Sequence, residues 1–383
     1  MITVGVLKEP SFESRVSLLA AEAAALIKAG MTVWIEAGAA MKAFCTDADY
    51  VTVGAVIKSR TDMINTADVL LSINYNDIGT VVKDKVLIGV FQPLFNRALM
   101  EAWTKQGLTI FSLDMLPRIT RAQGMDVLSS QANIAGYKSV LLAASLYPHY
   151  FPMMMTAAGS VTPAKVLVIG AGVAGLQAVA TARRLGAVVE VFDTRAAAKE
   201  EVLSLGAKFI DVEGAADASK AGGYAVDQNV DFQQKQKASI AEHIKKADIV
   251  ITTAQLFGRK APVLVTGEMI GTMKAGSIII DLAASTGGNT ELTKDNATIL
   301  AGEVTVIGNS NLASTVPADA SKLYGKNVSN FIKLLVNAKG ALDINLADEI
   351  VKGACVATGG TLTTGGSHIT GAGVATPVTL KAV

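Results

Sequence analysis

The sequence predicts an α/β protein of two Rossmann-like, doubly wound parallel-sheet domains with a cleft between them. Three observations lead there. Short apolar runs alternate with helix-like runs in two successive series. The apolar runs have the hydrophobicity of parallel strands buried on both faces. The second series opens on a glycine fingerprint at Gly170, Gly172 and Gly175. A chain of 383 residues has room for two such domains.

The first series has strand-like runs at 3–7, 32–35, 69–73, 86–91 and 108–111, with helix-like runs at 17–29, 47–53 and 97–106 between them. Its first strand leads into Val4-Gly5-Val6-Leu7-Lys8-Glu9-Pro10, which lacks Gly-x-Gly-x-x-Gly spacing. This unit is therefore α/β in shape without the usual phosphate-binding loop. One long helix is expected over 129–149, ending near Pro148. Residues 152–163 offer two short apolar runs around Gly159-Ser160, the pattern of a β-hairpin with its turn there.

The second series places strands at 165–169, 188–192, 208–210, 248–252, 277–281 and 304–307. Small and polar residues at 213–231, including Gly222, Gly223 and Tyr224, interrupt it with a connection long enough to suggest function or disorder. A helix is expected over 318–335, and the Gly/Thr-rich stretch 358–373 reads as a loop or linker.

Composition narrows the function classes. Apolar residues make up 50% and charged residues 17%, so a large core can be buried. Formal net charge is +1, which gives no electrostatic case for nucleic acid or an anionic membrane surface. Mean hydropathy is +0.40, yet no apolar run approaches the ~20 residues of a spanning helix. The N-terminal residues read as a strand with no signal-peptide core. Cys45 and Cys355 are the only cysteines and form neither a metal-ligand spacing nor a CxxC, so no metal is expected and a reduced cytosolic chain is the simplest reading.

The strongest chemical signal is Val166-Leu-Val-Ile-Gly170-Ala-Gly172-Val173-Ala-Gly175. A buried strand feeds the glycines and a helix follows. The first Gly makes the turn, the second lets the pyrophosphate approach the backbone, and the third lets helix and strand pack closely. The helix N-terminus then offers N–H groups and a positive dipole end to phosphate. Asp193 ends the next strand, where an acid accepts hydrogen bonds from the adenosine ribose and repels a 2′-phosphate, so NAD is favoured over NADP. Thr194 and Arg195 follow. Arg195 could hold a 2′-phosphate, or it could be a solvated residue at a helix start. Thr252-Thr253-Ala254-Gln255 and Asp281-Leu-Ala-Ala-Ser end two strands at the carboxyl edge of the sheet, where ligands bind in such folds, although either could instead cap a helix.

A second polar concentration is Arg118-Ile-Thr-Arg-Ala-Gln123-Gly-Met-Asp126-Val-Leu-Ser129-Ser-Gln-Ala-Asn133. By itself it is equally a surface loop, with Asp126 or Ser129 capping the long helix. His149, His243 and His368 are scattered, and each reads as structural or solvated. A dehydrogenase acting on a hydroxy or amino acid usually needs a general base, whereas hydride transfer between two nicotinamides needs none. It needs two rings held close with water excluded.

These stretches together resemble the NAD(H)-binding component of proton-translocating nicotinamide nucleotide transhydrogenase, a family related to alanine dehydrogenase. The resemblance spans roughly 1–355. It is most specific from Met115 to Tyr137, with Met155-Thr-Ala-Ala-Gly159, the fingerprint, Asp193-Thr-Arg-Ala-Ala-Ala, Gly222-Gly-Tyr-Ala and Asp281-Leu-Ala-Ala in support. It implies that Arg118, Gln123 and Asp126, with Ser129 beside them, serve the nicotinamide. It also implies that Tyr224, next to Gly223, belongs to a mobile loop over the nucleotide, and that Thr253, Ala254 and Gln255 help hold the cofactor.

The resemblance further implies NAD(H) on this chain, NADP(H) on a partner subunit, a membrane-spanning proton-channel subunit, and a cytoplasmic place at the inner face of the plasma membrane through those partners. The activity would be NAD(P)+ transhydrogenation of the Si-specific/Re-specific type, seen only with partner subunits. The implied domains are 1–128 with 319–383, and 129–318. A homodimer is expected through the 153–161 hairpin, which has too little local core of its own. Two departures stand out: Gln255-Leu-Phe-Gly where the family usually has Leu-Ile-Pro-Gly, and Ala313-Ser-Thr315 where it has Pro-Ser-Arg. The competing readings are an alanine dehydrogenase and a non-catalytic NAD-sensing module. Neither Leu71-Ser-Ile-Asn-Tyr-Asn nor Ile88-Gly-Val-Phe-Gln-Pro offers the Lys or His of the former.

Overall fold

In the computed structural model, residues 2–74, 84–212, 214, 229–337 and 339–363 are described. The described strands are β1 (Thr3–Val6), β2 (Thr32–Glu36), β3 (Val56–Lys58), β4 (Val69–Leu71), β5 (Val86–Gly89), β6 (Thr109–Ser112), β7 (Met154–Thr156), β8 (Gly159–Val161), β9 (Lys165–Ile169), β10 (Val188–Phe192), β11 (Lys208–Phe209), β12 (Ile249–Thr252), β13 (Ile278–Asp281), β14 (Ala297–Ala301), β15 (Val304–Gly308), β16 (Cys355–Thr358) and β17 (Thr361–Leu362). The helices are α1 (Ala20–Lys28), α2 (Asp47–Thr52), α3 (Arg60–Thr66), α4 (Arg97–Lys105), α5 (Val127–Leu146), α6 (Val173–Arg184), α7 (Ala198–Ser204), α8 (Val230–Ile244), α9 (Gly267–Gly271), α10 (Pro317–Ile332) and α11 (Glu349–Ala354).

The chain divides into two compact units. One holds the residues up to Gln131 together with those from Ser314 onward, and the other is Ala132–Ala313. The sheet of the first runs β17-β16-β6-β5-β4-β1-β2-β3, and that of the second runs β11-β10-β9-β12-β13-β15-β14. Without their antiparallel edge strands, both follow the 3-2-1-4-5-6 order of a dinucleotide-binding fold. Central strands β12 and β13 are buried at every residue, which is why they read as unbroken apolar runs. No helix among the described residues is long and apolar enough to cross a membrane.

Several elements differ from the sequence reading. Strand β3 and helix α3 are not legible in the sequence, because three and seven residues are too few to establish a period. Edge strand β14 pairs antiparallel with β15 and alternates half-buried with exposed residues. The hairpin forms, but its turn lies at Ala157-Ala158, and Gly159 and Ser160 belong to β8. Thr156 explains the shift: its hydroxyl accepts the Ala158 N–H, a local side-chain turn that needs no glycine at the tip. Residues 355–362, where the expected linker begins, form β16 and β17 on the edge of the first sheet. Gly223 and Tyr224 lie outside the described residues, as does most of the long insertion and the tail beyond 363.

Candidate functional site

In the second unit the fingerprint takes the geometry its glycines require. Gly170 has φ 103° and follows directly on β9. A Cβ on Gly175 would lie 1.8 Å from the Gly170 carbonyl oxygen, so no other residue allows α6 to pack this closely on the turn. Beside Gly172 a Cβ would meet nothing within 4 Å, so the approach to the first turn of α6 is open. No side chain caps that N-terminus and no acid lies in its first turn, while Val173 is exposed at its start. A twelve-residue helix with an open, uncapped N-terminus suits a pyrophosphate, and the residues present fit a dinucleotide.

Asp193 follows β10 and faces this turn. Its Oδ2 accepts the Ala171 N–H at 2.6 Å, which ties the acid to the fingerprint. The same carboxylate accepts the Arg195 N–H at 2.7 Å and the Arg195 Nε and Nη2 at 3.0 Å each. Arg195 is thus an ion-pair partner and not a solvated residue. Thr194 between them is half-buried.

The neighbouring strand ends are fixed by a buried polar network that motif reading misses. Thr253 Oγ1 donates to the Gly170 carbonyl at 3.0 Å, closing β12 onto the fingerprint. Asn289 accepts the Ala254 N–H and donates to the carbonyls of Ala254 and Pro262. Fully buried Asp281 in turn accepts the N–H groups of Ala283, Asn289 and Thr290 and the hydroxyl of Thr293. Asp281 therefore works as an anchor that orders 282–293 and, through Asn289, the backbone at Ala254. Gln255 reaches the Leu282 carbonyl at 3.4 Å.

In the first unit, Arg118 and Gln123 are exposed on the segment that precedes α5, and Gln123 lies in a 3-10 turn, Thr120–Met125. Asp126 caps the helix, accepting the Ser129 N–H at 2.9 Å and the Ser129 hydroxyl at 2.6 Å. Ser129 is held by the cap. Three anchors pin the segment. Ala122 and Met125 are buried in the core. The Gly124 carbonyl accepts the carboxamide N–H groups of Asn327 and Asn330 on α10. Arg121 makes a two-pronged ion pair with Asp348 at 2.7 and 2.8 Å. None of these hydrogen-bond partners can be read locally, since each lies more than 200 residues along the chain.

The carboxyl edge of this unit's sheet is filled with charge. Glu9, just beyond β1, accepts the N–H groups of Ile73 and Asn74 and the Ser72 hydroxyl beyond β4. Burial pushes Glu9 up to about 7, against the lowering effect of the Ile73 and Asn74 N–H groups. Glu13 is also buried, but the two-pronged pair with Arg15 outweighs burial and brings it down to about 2. Arg15 donates onward to Gln131 Oε1 at 2.8 Å, at the start of α5. Glu9 thus occupies the β1/β4 switch point, the position that in the second unit carries the glycine turn.

Comparison with known proteins sets these features in a family. Residues 5–135 match the alanine dehydrogenase/PNT N-terminal domain and residues 139–365 the C-terminal domain. The chain is 43% identical over 362 residues to the first portion of the NAD(P) transhydrogenase alpha subunit of Rhodospirillum rubrum, a separate chain there, across 91% of this chain and 94% of that one. A transhydrogenase structure from Sinorhizobium meliloti superimposes with a TM-score of 0.86 at 44% identity, covering 94% of this chain and all of that one. An L-alanine dehydrogenase shares the fold at a TM-score of 0.79 and 23% identity, covering 96% of this chain and 99% of that one.

Proposed function

The chain belongs to the alanine dehydrogenase/PNT family, and we propose that it is the NAD(H)-binding subunit of a proton-translocating transhydrogenase. In this reading NADP(H) is held by a partner subunit, and a membrane-spanning subunit couples the reaction to protons and keeps this chain at the inner face of the plasma membrane. Bound NADH supplies the hydride. The chain's own residues bind, orient and exclude water. The open first turn of α6, at Gly172 and Val173, takes the pyrophosphate and Asp193 takes the adenosine ribose, with Thr194, Thr253, Ala254 and Gln255 around them. Gly223 and Tyr224 are assigned to the same nucleotide from the long insertion.

The observation that carries the reading is the character of the segment before α5. Arg118 and Gln123 stand exposed on a backbone fixed by Asn327, Asn330 and Asp348. A guanidinium and a carboxamide can orient and polarise a nicotinamide, but neither takes up a proton near neutral pH. Direct hydride transfer needs that pairing, while oxidation of an amino acid needs a base. Asp126 and Ser129 set the segment's end.

The test is Gln123→Asn in a complex reconstituted with the partner subunits. Misplacement by one methylene should lower the hydride-transfer rate by about 100-fold, with little change in the NADH dissociation constant. Equal effects on both would make Gln123 a binding residue only. The isolated chain should bind NADH and show no transhydrogenation, and full-speed reduction of NADP+ analogues by it alone would remove the partner subunit from the scheme.

The hairpin supports a homodimer. Every residue of β7 and β8 is exposed, Met155 at 78%. A two-stranded ribbon with exposed methionines is marginal in water and gains stability when a second copy covers it.

A further inference from the structure

We propose that the Arg195 guanidinium is a built-in competitor for the nucleotide's ribose, occupying the Asp193 acceptor positions that the 2′- and 3′-hydroxyls need and leaving them when adenosine binds. The inference deepens the proposed function and rests on its assignment of Asp193 to the ribose.

An ionised carboxylate offers about four acceptor positions, two on each oxygen. At Asp193 all four are taken. The backbone N–H groups of Ala171 and Arg195 use one on each oxygen, at 2.6 and 2.7 Å. Arg195 Nη2 uses the second on Oδ2 and Arg195 Nε the second on Oδ1, both at 3.0 Å. The two backbone donors belong to the fingerprint turn and the strand end and hold the acid in register. The guanidinium edge is the exchangeable half. It presents two parallel N–H groups, the same two-donor pattern that vicinal hydroxyls present.

The Asp193 side chain is 7% exposed and that of Arg195 22%, so the way out for the ligated groups is on the arginine side. The arginine backbone stays bonded to Asp193, so the displaced guanidinium remains tethered next to the ribose. From there it can meet a 2′-phosphate. The same residue thus weakens binding of a free diol and softens the repulsion that Asp193 exerts on a phosphorylated one.

The experiment is calorimetric titration of the full chain with ADP and with 2′,3′-dideoxyadenosine 5′-diphosphate, followed by NADH and NADPH. The variants are Arg195→Ala, Arg195→Lys and Asp193→Asn. In Arg195→Ala, ADP and NADH should bind about 3- to 10-fold more tightly, the dideoxy compound should bind unchanged, and preference for NADH over NADPH should rise. Arg195→Lys, which keeps the charge without the fork, should fall between wild type and alanine and serves if the alanine variant is unstable. Weaker ADP binding in both arginine variants, with Asp193→Asn also weakened, would leave the ribose site standing and overturn the competition. An equal gain for ADP and the dideoxy compound would overturn it too. If Asp193→Asn leaves ADP binding unaltered, the ribose assignment itself fails and the competition with it.

Discussion

At the scale of single residues, Asp193 shows how much a fixed spacing conveys and where it stops. The acid is legible because a strand end about twenty residues beyond a glycine run is a set position in this fold. Its arginine partner is not, because Arg195 can equally face solvent or phosphate from the same sequence. Asp193→Asn should weaken NADH binding and reduce discrimination against NADPH by on the order of 1–3 kcal/mol, the scale of a hydrogen bond to a charged group. Unchanged affinities for both nucleotides, measured by fluorescence titration, would remove the residue from the site. The sequence allows either Asp126 or Ser129 as the helix cap, and hydrogen-bond direction decides between them. Asp126 accepts two bonds from Ser129 and is the cap.

At the scale of elements, the strands and helices that form continuous apolar runs lie within a few residues of their expected ends. Those hidden from the sequence are short or at an edge, such as β3, α3 and β14, where burial is partial and no period accumulates. Close approaches between elements are hidden as well. A Cβ at Gly136 of α5 would lie 2.1 Å from the Ala174 carbonyl at the start of α6, a demand that nothing local announces. The charged cluster beyond β1 and β4 is likewise invisible in sequence, since it joins residues more than 60 apart.

That cluster has a pH signature. Glu9 titrates near 7 in the fold and near 4.5 when unfolded, so folding takes up a proton between those values. Its contribution is unfavourable above this window, and stability declines as pH rises from about 4.5 to 7, by on the order of 3 kcal/mol in all. Glu13, lowered to about 2, acts oppositely and loses its contribution only as pH falls below about 4.5. Denaturant unfolding at pH 5 and pH 7.5 should give a smaller difference for Glu9→Gln than for wild type. Parallel behaviour of the two proteins would place the titration elsewhere.

At the scale of the whole molecule, the α/β class follows from alternation alone, while the assembly depends on surfaces whose partners the sequence does not name. Sedimentation at micromolar concentration should give a dimer. Replacing Met154 and Met155 with serine should yield monomers that keep NADH affinity, because the hairpin is remote in sequence from the fingerprint and adds nothing to the unit's core. A wild-type monomer would exclude the dimer, and a dimeric variant would exclude the hairpin as its seat.

The two sheets share one strand order, but at their switch points one carries a glycine turn and the other a carboxylate bonded across from β1 to β4. The consequence is one of stoichiometry. A fold that has duplicated its architecture has kept a single nucleotide berth, so each chain accepts one equivalent and delivers one two-electron packet per turn. A dimer carries two such packets, and the acceptor for each must arrive on another polypeptide.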